Sequence, residues 1–407
     1  MTGKPARADF PWLIVACGCL IAALTFGPRS AMGFFQLPML AETGWDRTTF
    51  GLAMALQNLC WGLGQPIFGA IADRFGTWRV LAIGALLYAA GLYLMAIADA
   101  PLLLHIGGGV LIGLGVAAGS FGIVLAALAR NVAPEDRSFA FGLGTAAGSA
   151  GMFVFAPITQ GLIDTVGWSD ALIYLAIAML IVPVLAASLR GNAKSSPTSG
   201  DDIEQTAREA LREAFAYRGY VLLTAGFFVC GFHVAFIAAH FPAYVSDIGL
   251  SANYAVLAIA LIGFFNIIGS LAAGVIGQHY PKPMFLVWIY LSRAALITVF
   301  LLLPKSGTSV IIFSLGMGFL WLSTVPPTNA LVAVMFGVRH LGMLGGIVFL
   351  SHQIGSFLGV WLGGVLYDRF GSFDPVWWLG VVLGLLAAII HWPIREEAAP
   401  RAVPAAE

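Results

Sequence analysis

The most constraining feature of this sequence is the recurrence of apolar runs of about 20 residues or more. Residues 12–40, 80–98 and 284–303 are examples. A helix rises about 1.5 Å per residue, so such a run crosses the roughly 30 Å hydrocarbon core of a bilayer. Charged residues make up only 10% of the chain and hydrophobic residues 59%, which is too little charge for a water-exposed surface. We therefore predict that lipid surrounds most of the chain.

Clusters of polar, proline and glycine residues divide the chain into twelve predicted spans. These are 12–40, 48–71, 80–98, 102–129, 138–163, 168–189, 219–247, 253–277, 284–303, 307–336, 340–366 and 375–394. The predicted fold is an all-α integral membrane protein with twelve transmembrane helices in two pseudo-symmetric six-helix bundles. We place the bundles at 1–189 and 219–407, joined by a cytoplasmic linker, 190–218, that contains a short amphipathic helix.

Lysine and arginine positions predict the orientation, because short cytoplasmic loops carry an excess of these residues. With both termini in the cytoplasm, three of the twenty basic residues (Arg47, Lys305 and Arg369) lie on the outer side, two (Arg29 and Arg293) lie within spans, and the other fifteen lie on the inner side. We predict a multi-pass protein of the cell inner membrane with both termini cytoplasmic.

Several classes of protein are disfavoured by the composition. The formal net charge is zero and no basic stripe is present, so a nucleic-acid partner is not expected. The four cysteines lie inside apolar segments, which argues against a disulfide framework or a zinc site. No nucleophile and base constellation is apparent. We expect no enzyme activity, no cofactor and no metal, and a functional monomer in the lipid bilayer.

An internal repeat relates the two halves at an offset of 204 or 205 residues. The related pairs are Pro38 and Pro242, Gly44 and Gly249, Asp164 and Asp368, and Gly167 and Gly371. Six helices are thus duplicated in parallel. Repeats of this kind in transporters place the substrate site near the middle of the membrane, between the halves.

Two arginines lie within spans that contain no acidic residue. Arg29 is in the first span and Arg293 is at the middle of the ninth. A charge at the bilayer centre costs at least about 2.5 kcal/mol, so it is normally paired or faces a wet cavity. An anionic substrate would supply the missing charge. The alternative is that carbonyls, waters or Tyr290 satisfy each guanidinium, and for Arg293 this structural role is the favoured one.

Other polar and aromatic side chains within spans are candidate lining of a substrate pathway. Applying the offset of 204 to Arg29 gives His233, in the middle of the seventh span. The remaining candidates are Asn266, His352, Gln353, Trp61, Trp321 and Ser323. Each has an ordinary packing role as its alternative. Pro326 and Pro327 are expected to distort the tenth span and to contribute to gating.

The loop after the second span carries a recognisable motif, Gly69-Ala-Ile-Ala-Asp73-Arg74-Phe-Gly76-Thr-Trp-Arg79. Its glycines permit close helix approach, and its charges can exchange partners as the halves move. The motif resembles the signature loop of the major facilitator superfamily, and the twelve-helix pattern is similar to that fold. The resemblance implies a conformational role for Asp73, Arg74, Gly76 and Arg79.

A second resemblance covers nearly the whole chain. Gly27-Pro28-Arg29-Ser30 is similar to the first-helix segment of the monocarboxylate transporters, and residues 137–151 and 364–371 resemble their fifth and eleventh helices. In that family a basic residue after the proline contributes to substrate and proton binding, which implies this role for Arg29. Bacterial relatives of this type are often grouped with oxalate/formate exchangers.

The eighth helix departs from that family pattern. Asn266 stands where the family often has an acid, and Ser270 stands where it has an arginine. The proton-coupled lactate mechanism is therefore not implied for this chain.

The function predicted from these features is secondary active transport of small organic anions, monocarboxylates or related carboxylates, by alternating access. Substrate-linked proton symport and exchange for a counter-substrate both remain open, since histidine titrates near neutrality. The alternative is an exporter of apolar or cationic compounds with the same fold. A membrane enzyme or a receptor that does not transport has little support, because no catalytic set is present.

Overall fold

A computed structural model describes residues 10–133, 136–190, 206–337 and 340–400. Most of the predicted linker, 191–205, and both chain ends lie outside the described residues. The predicted inner-side residues Lys4, Arg7, Lys194, Arg339 and Arg401 lie outside them too. Every regular element in the described part of the chain is helical.

The N-terminal half contains six membrane-length segments, several of which are broken into shorter helices. Its helices are α1 (Trp12–Ser30), α2 (Gln36–Thr43), α3 (Arg47–Phe75), α4 (Thr77–Ala96), α5 (Pro101–Leu104), α6 (Ile112–Ala118), α7 (Phe121–Asn131), α8 (Arg137–Val166), α9 (Trp168–Met179) and α10 (Val182–Ala187). A 3₁₀ turn, Met32–Phe35, separates α1 from α2. A π-helical stretch, His105–Leu111, joins α5 to α6.

The C-terminal half repeats this plan with fewer breaks. Its helices are α11 (Ala207–Ala216), α12 (Arg218–Asp247), α13 (Ala252–His279), α14 (Lys282–Leu302), α15 (Gly307–Leu320), α16 (Val325–Phe336), α17 (Leu341–Phe370) and α18 (Asp374–His391). The short α11 begins with a capping box, in which the side chains of Thr206 and Glu209 each bond the other's backbone N–H. Its Ala210 and Ala214 are buried while its charged side chains face outward, as an amphipathic helix requires.

Eleven segments in the described part of the chain are long and apolar enough to cross a membrane. The second predicted span, α3, completes the set of twelve with 29 residues. Its polar residues Gln57 and Asn58 are buried between helices, so its lower hydropathy does not reflect contact with water. The predicted all-α fold with twelve transmembrane helices in two bundles is confirmed.

The backbone shows the internal repeat directly. Gly44 and Gly249 end the first and seventh spans with φ values of 71° and 83°. Gly167 and Gly371 end the fifth and eleventh spans with φ values of 86° and 70°. A left-handed φ at these ends is readily adopted only by glycine. The same turn chemistry therefore recurs at the offsets of 205 and 204 residues.

The helix breaks differ in place from what the prolines predict. In the first span α1 continues through Pro28, and the break follows at Met32–Phe35. In the tenth span the break lies at residues 321–324, just before Pro326 and Pro327. Proline has no N–H and fits the first turn of a helix, so the pair begins α16 rather than bending its middle.

The two halves meet at one end of the molecule and separate at the other. At the end where α3 begins, here called the Arg47 end, a Cβ on Gly364 of α17 would lie 2.5 Å from the Arg47 carbonyl oxygen. Closer to the middle, a Cβ on Gly62 of α3 would touch the Gln353 side chain of α17. At the other end, here called the Arg74 end, a Cβ on Gly69 or Gly346 would meet nothing within 4 Å. The two helices therefore lose contact towards the Arg74 end, and the space between them there is called the cleft.

Candidate functional site

Arg29 of α1 lies half-buried near the closed apex of this cleft. Its Nη2 donates to the Asn58 Oδ1 of α3 over 2.5 Å, and its guanidinium carbon lies 4.6 Å from the Trp61 ring centroid. Its Nε is buried without an acceptor. Among the residues that the structure describes, no carboxylate pairs with Arg29. The guanidinium is thus held in place by an amide and an indole, and its charge is not neutralised.

Asn58 fixes the position of that guanidinium. Its Nδ2 donates to the Met54 carbonyl over 2.8 Å, one helical turn earlier, which leaves Oδ1 as the atom that faces Arg29. Asn58 and Trp61 are three residues apart on α3, so both side chains project from the same helical face. The amide and the indole are therefore presented together to α1.

A chain of aromatic rings links Arg29 to the C-terminal half. The Trp61 ring centroid lies 5.1 Å from that of Phe349 of α17, and the Phe349 ring stacks on His352 at 5.6 Å. On the other side, Trp61 lies 5.8 Å from Phe26, which stacks on Phe121 at 4.1 Å. Rings from both halves therefore surround the apex of the cleft.

His352 and Gln353 lie beside this chain. The His352 Nδ1 is 3.1 Å from the Gln353 Oε1, and Gln353 packs on Gly62 of α3. The Gln353 Nε2 is buried with no partner. The structure thus brings four predicted residues together at the apex: Arg29, Trp61, His352 and Gln353.

Arg293 and Asn266 lie instead at the break of the tenth span. The fully buried Arg293 donates from Nη2 to the carbonyls of Leu320 and Trp321, at 2.5 and 2.7 Å. Asn266 accepts the backbone N–H of Leu322 over 3.1 Å. Helix ends leave carbonyl and N–H groups unpaired, and these two side chains bond those groups inside the membrane. Arg293 therefore bonds carbonyls as its alternative role requires, while its Nε and Nη1 remain buried without an acceptor.

Asn266 also contacts the N-terminal half. Its Nδ2 donates to the Ser149 Oγ of α8 over 2.9 Å, and its Oδ1 accepts from Ser270 over 3.2 Å. A side-chain amide can make four hydrogen bonds, and leaving any of them unmade in a buried site is costly. Asn266 makes three: one as donor and two as acceptor. Asn266 thus joins α8, α13 and the break of the tenth span.

The remaining predicted lining residues face the interior of the C-terminal half. The buried His233 bonds from Nε2 to the Gly380 carbonyl of α18 over 2.7 Å, and not towards α1. Ser323 donates to the Phe319 carbonyl over 2.6 Å, and Trp321 is 3% exposed among apolar side chains. These residues do not approach Arg29.

The motif of residues 69–79, for which a conformational role was predicted, forms the turn between α3 and α4 at the Arg74 end. Gly76 has φ 92° and separates the two helices, a backbone conformation that favours glycine. The Arg79 Nη1 donates to the Phe75 carbonyl over 3.3 Å, and Arg74 and Asp73 are exposed. The motif lies beside the mouth of the cleft.

An ionic cluster holds the halves together at the Arg47 end. Arg47 of α3 pairs with Asp247 of α12 through two hydrogen bonds of 2.6 and 2.7 Å, and its guanidinium covers the Tyr367 ring at 3.6 Å. Asp368 of α17 accepts the backbone N–H groups of Arg47 and Thr48, at 3.2 and 2.7 Å. Asp368 therefore caps the N-terminus of a helix from the opposite half.

Two residues related by the repeat meet below this cluster. Gln36 and His240 are 204 positions apart, and the Gln36 Nε2 lies 3.1 Å from the His240 Nδ1. The His240 Nε2 bonds the Val360 carbonyl over 2.9 Å. Both residues are fully buried. Contact between equivalent positions places the pseudo-symmetry axis between them.

We expect Asp247→Asn to loosen the Arg47 end. Removing one partner of a buried ion pair costs about 3 kcal/mol. Because this site is partly exposed, we take roughly half of that cost. The equilibrium between closed and open forms of the Arg47 end should then shift about tenfold towards the open form. The measurement is the rate at which a polar maleimide labels Ala239→Cys, a buried position between the halves, in a background without the four native cysteines. The exposed Asp170→Asn is the matched control. Equal labelling rates in both variants would contradict the claim that the Arg47–Asp247 ion pair keeps this end closed.

Sequence reasoning missed several of these residues. Asn58 could have been found, because it is a polar residue inside a predicted span and stands three residues before Trp61. The repeat singles out Asp368, but the sequence does not indicate that it meets Arg47 and Asp247, which are charges at span edges of an ordinary kind. Phe349 is one of 29 phenylalanines, and only the contact between α3 and α17 distinguishes it.

Comparisons with known proteins agree with this architecture. A family model described as the Major Facilitator Superfamily matches residues 17–333. Relatives include monocarboxylate transporter 13 of Rattus norvegicus, 24% identical over 91% of this chain and 85% of that protein. Monocarboxylate transporter 11 of Mus musculus is 28% identical over 92% of this chain and 86% of that protein. An uncharacterized MFS-type transporter, YcxA of Bacillus subtilis, is 24% identical over 89% and 90%.

Solved structures show the same fold at lower identity. A D-xylose-proton symporter has a TM-score of 0.73 and 16% identity, covering 95% of this chain and 98% of its own. A bacterial homologue of the human lysosomal transporter Spinster, in an inward-facing and unoccupied conformation, has a TM-score of 0.71 and 14% identity, covering 95% and 97%. With a family model matched over most of its length and twelve helices in two repeated bundles, the chain belongs to the major facilitator superfamily.

Proposed function

We propose that this transporter carries small organic anions with one carboxylate, and that Arg29 binds the carboxylate. The observation that carries the proposal is the environment of Arg29 at the apex of the cleft. Its nearest polar partner is a neutral amide, its nearest ring is an indole, and its Nε has no acceptor. A carboxylate from the cleft supplies both the acceptor and the negative charge.

Other donors close to Arg29 also lack acceptors. The Trp61 Nε1 and the Tyr88 hydroxyl are buried without a hydrogen-bond partner, and Tyr88 lies within electrostatic range of Arg29. Buried donors without acceptors cost about 1–3 kcal/mol each. A site with several donors and one cation favours an anion over a cation or a neutral compound. This distinguishes the proposal from export of apolar or cationic compounds.

The relatives support the same class of cargo. Two of them are named monocarboxylate transporters, and this chain matches most of their length at 24–28% identity. That identity is low, so the relatives support the class and the local geometry of Arg29 supports the binding residue.

We infer an alternating-access cycle in which the described conformation is open at the Arg74 end. The distribution of Lys and Arg puts that end in the cytoplasm. The Arg47 cluster then closes the outer side, and the cleft between α3 and α17 faces inward. Breaking the Arg47 cluster and closing the Arg74 end would expose Arg29 to the outside, since Arg29 lies between the two ends.

Uptake into proteoliposomes tests the proposed function. We expect the purified protein to carry at least one labelled monocarboxylate of a panel that spans acetate, lactate, benzoate and phenylacetate, above the rate of protein-free liposomes. A labelled dicarboxylate and a lipophilic cation complete the panel. Transport of the cation without any carboxylate would overturn the proposal in favour of the exporter.

We expect Asn58→Asp to block uptake more strongly than Asn58→Leu. The new carboxylate would lie in hydrogen-bond contact with Arg29 and supply the counter-charge that the cargo otherwise brings. The leucine removes the same hydrogen bond without adding charge. An internal ion pair must be displaced by the cargo, so uptake should fall at least about tenfold below that of Asn58→Leu. Equal uptake by the two variants would show that charge at Arg29 does not select the cargo.

A further inference from the structure

The aromatic rings at the apex carry an inference about the cargo that rests on the proposed function. Rings from both halves converge there: Phe26 and Trp61 from the N-terminal half, and Phe349 and His352 from the C-terminal half. Trp61 touches both the Arg29 guanidinium and the Phe349 ring, with centroid distances of 4.6 and 5.1 Å. Only the Trp61 ring therefore separates an anion bound at Arg29 from the Phe349 ring.

These rings lie where the halves diverge, so they face the cleft and not only each other. Trp61, Phe121 and Phe349 are half-buried, whereas the rings deep in the C-terminal core, such as Phe313 and Trp377, are 1% exposed. Past Trp61 and Phe349, Gly69 of α3 and Gly346 of α17 meet no neighbour. A cargo that enters the cleft from the Arg74 end reaches the rings and Arg29 together.

Few cationic side chains lie near the apex in the described part of the chain. The other buried guanidinium, Arg293, is fully buried and bonds the end of α15, and His233 bonds α18. Among the described residues, Arg29 is then the one arginine or lysine in contact with the ring cluster. A second carboxylate on the cargo would lie against Phe349 or Trp61 and lose hydration without a second arginine or lysine to pair with, which is costly.

We propose that the preferred cargo is a monocarboxylate that carries an aromatic ring next to its carboxylate, with the ring packed against Trp61 and Phe349 and the carboxylate on Arg29. Aromatic pairs at 4.5–7 Å attract beyond their buried area, and the ring also removes apolar surface from water. Short aliphatic acids lack both contributions. Dicarboxylates bring a second charge, for which the described part of the apex holds no second arginine or lysine.

The experiment compares labelled benzoate and phenylacetate with labelled acetate and succinate in proteoliposomes. We expect the aromatic acids to be taken up with roughly tenfold higher efficiency than acetate, and succinate not to be carried. The variant Phe349→Leu keeps apolar bulk but removes the ring, and it should lower the ratio of aromatic to acetate uptake about fivefold. Phe319→Leu, the same change at an exposed position on α15, should leave that ratio unchanged.

Each other outcome decides against a specific step. If acetate or succinate is carried as well as benzoate, the ring preference is wrong while carboxylate transport stands. If the aromatic acids are preferred but Phe349→Leu does not change the ratio, the ring does not pack on Phe349. If no carboxylate in the panel is carried, the proposed function itself is wrong.

Discussion

Arg29→Gln is expected to reduce carboxylate uptake by about a hundredfold or more. Glutamine retains a polar donor but is shorter and loses the charge, and a hydrogen bond to a charged group contributes about 1.5–3 kcal/mol. Two such bonds to a carboxylate contribute at least about 3 kcal/mol, which exceeds the roughly 2.7 kcal/mol of a hundredfold change. The measurement is the initial rate of labelled carboxylate uptake at equal protein per vesicle.

The matched control is Arg369→Gln, which removes an exposed guanidinium at the Arg47 end. It should retain most of the uptake. The Arg29 variant must also remain folded, which a thermal unfolding midpoint close to that of the parent would show. A folded Arg29→Gln protein that transports at the parent rate would remove Arg29 from the binding site.

Gly231→Ala and Gly355→Ala are expected to destabilise the C-terminal half severely. These glycines face each other across the crossing of α12 and α17. A Cβ on Gly231 would overlap the His352 carbonyl oxygen, and a Cβ on Gly355 would overlap the Phe228 carbonyl oxygen. Neither obstacle is the end of a flexible side chain, so the helices must separate. We expect a loss of about 3 kcal/mol or more in each variant.

The control for this prediction lies on the same helix. Gly346→Ala on α17 adds the same methyl group where nothing lies within 4 Å, so it should be neutral or slightly stabilising. Thermal unfolding in detergent compares the three variants. The midpoint should fall by several degrees for Gly231→Ala and Gly355→Ala only. A similar midpoint for all three would mean that α12 and α17 do not cross this closely.

The number of helices and their repeat in two halves were readable from the sequence, because they depend on the length of the apolar runs and on the repeat offset. Each apolar run is long enough to cross the membrane, and the glycines that end spans recur at the repeat offset since only they adopt a left-handed φ readily. The exact place of the break at Met32–Phe35 was not readable, because Pro28 indicates an earlier break but α1 continues past it to Ser30. Tertiary contact, not local propensity, places that turn.

The site was readable in part for a similar reason. Arg29 stood out because a charge inside a membrane span needs an explanation. His233 did not join it although the repeat makes the two positions equivalent, because α12 is apolar on all sides and its sequence does not show which face turns towards α1. Pro326 and Pro327 indicated a distortion of the tenth span, but the sequence did not show that Arg293 and Asn266 would bond the backbone at the break.

One measurement tests the central claim, that Arg29 takes its counter-charge from the cargo. Binding of benzoate and of benzamide, its neutral analogue of nearly the same shape, is measured by calorimetry with the parent protein and with Arg29→Gln. We predict that the parent prefers benzoate by about a hundredfold and that this preference almost disappears in the variant. The same preference in both proteins, or no preference in the parent, would contradict the account.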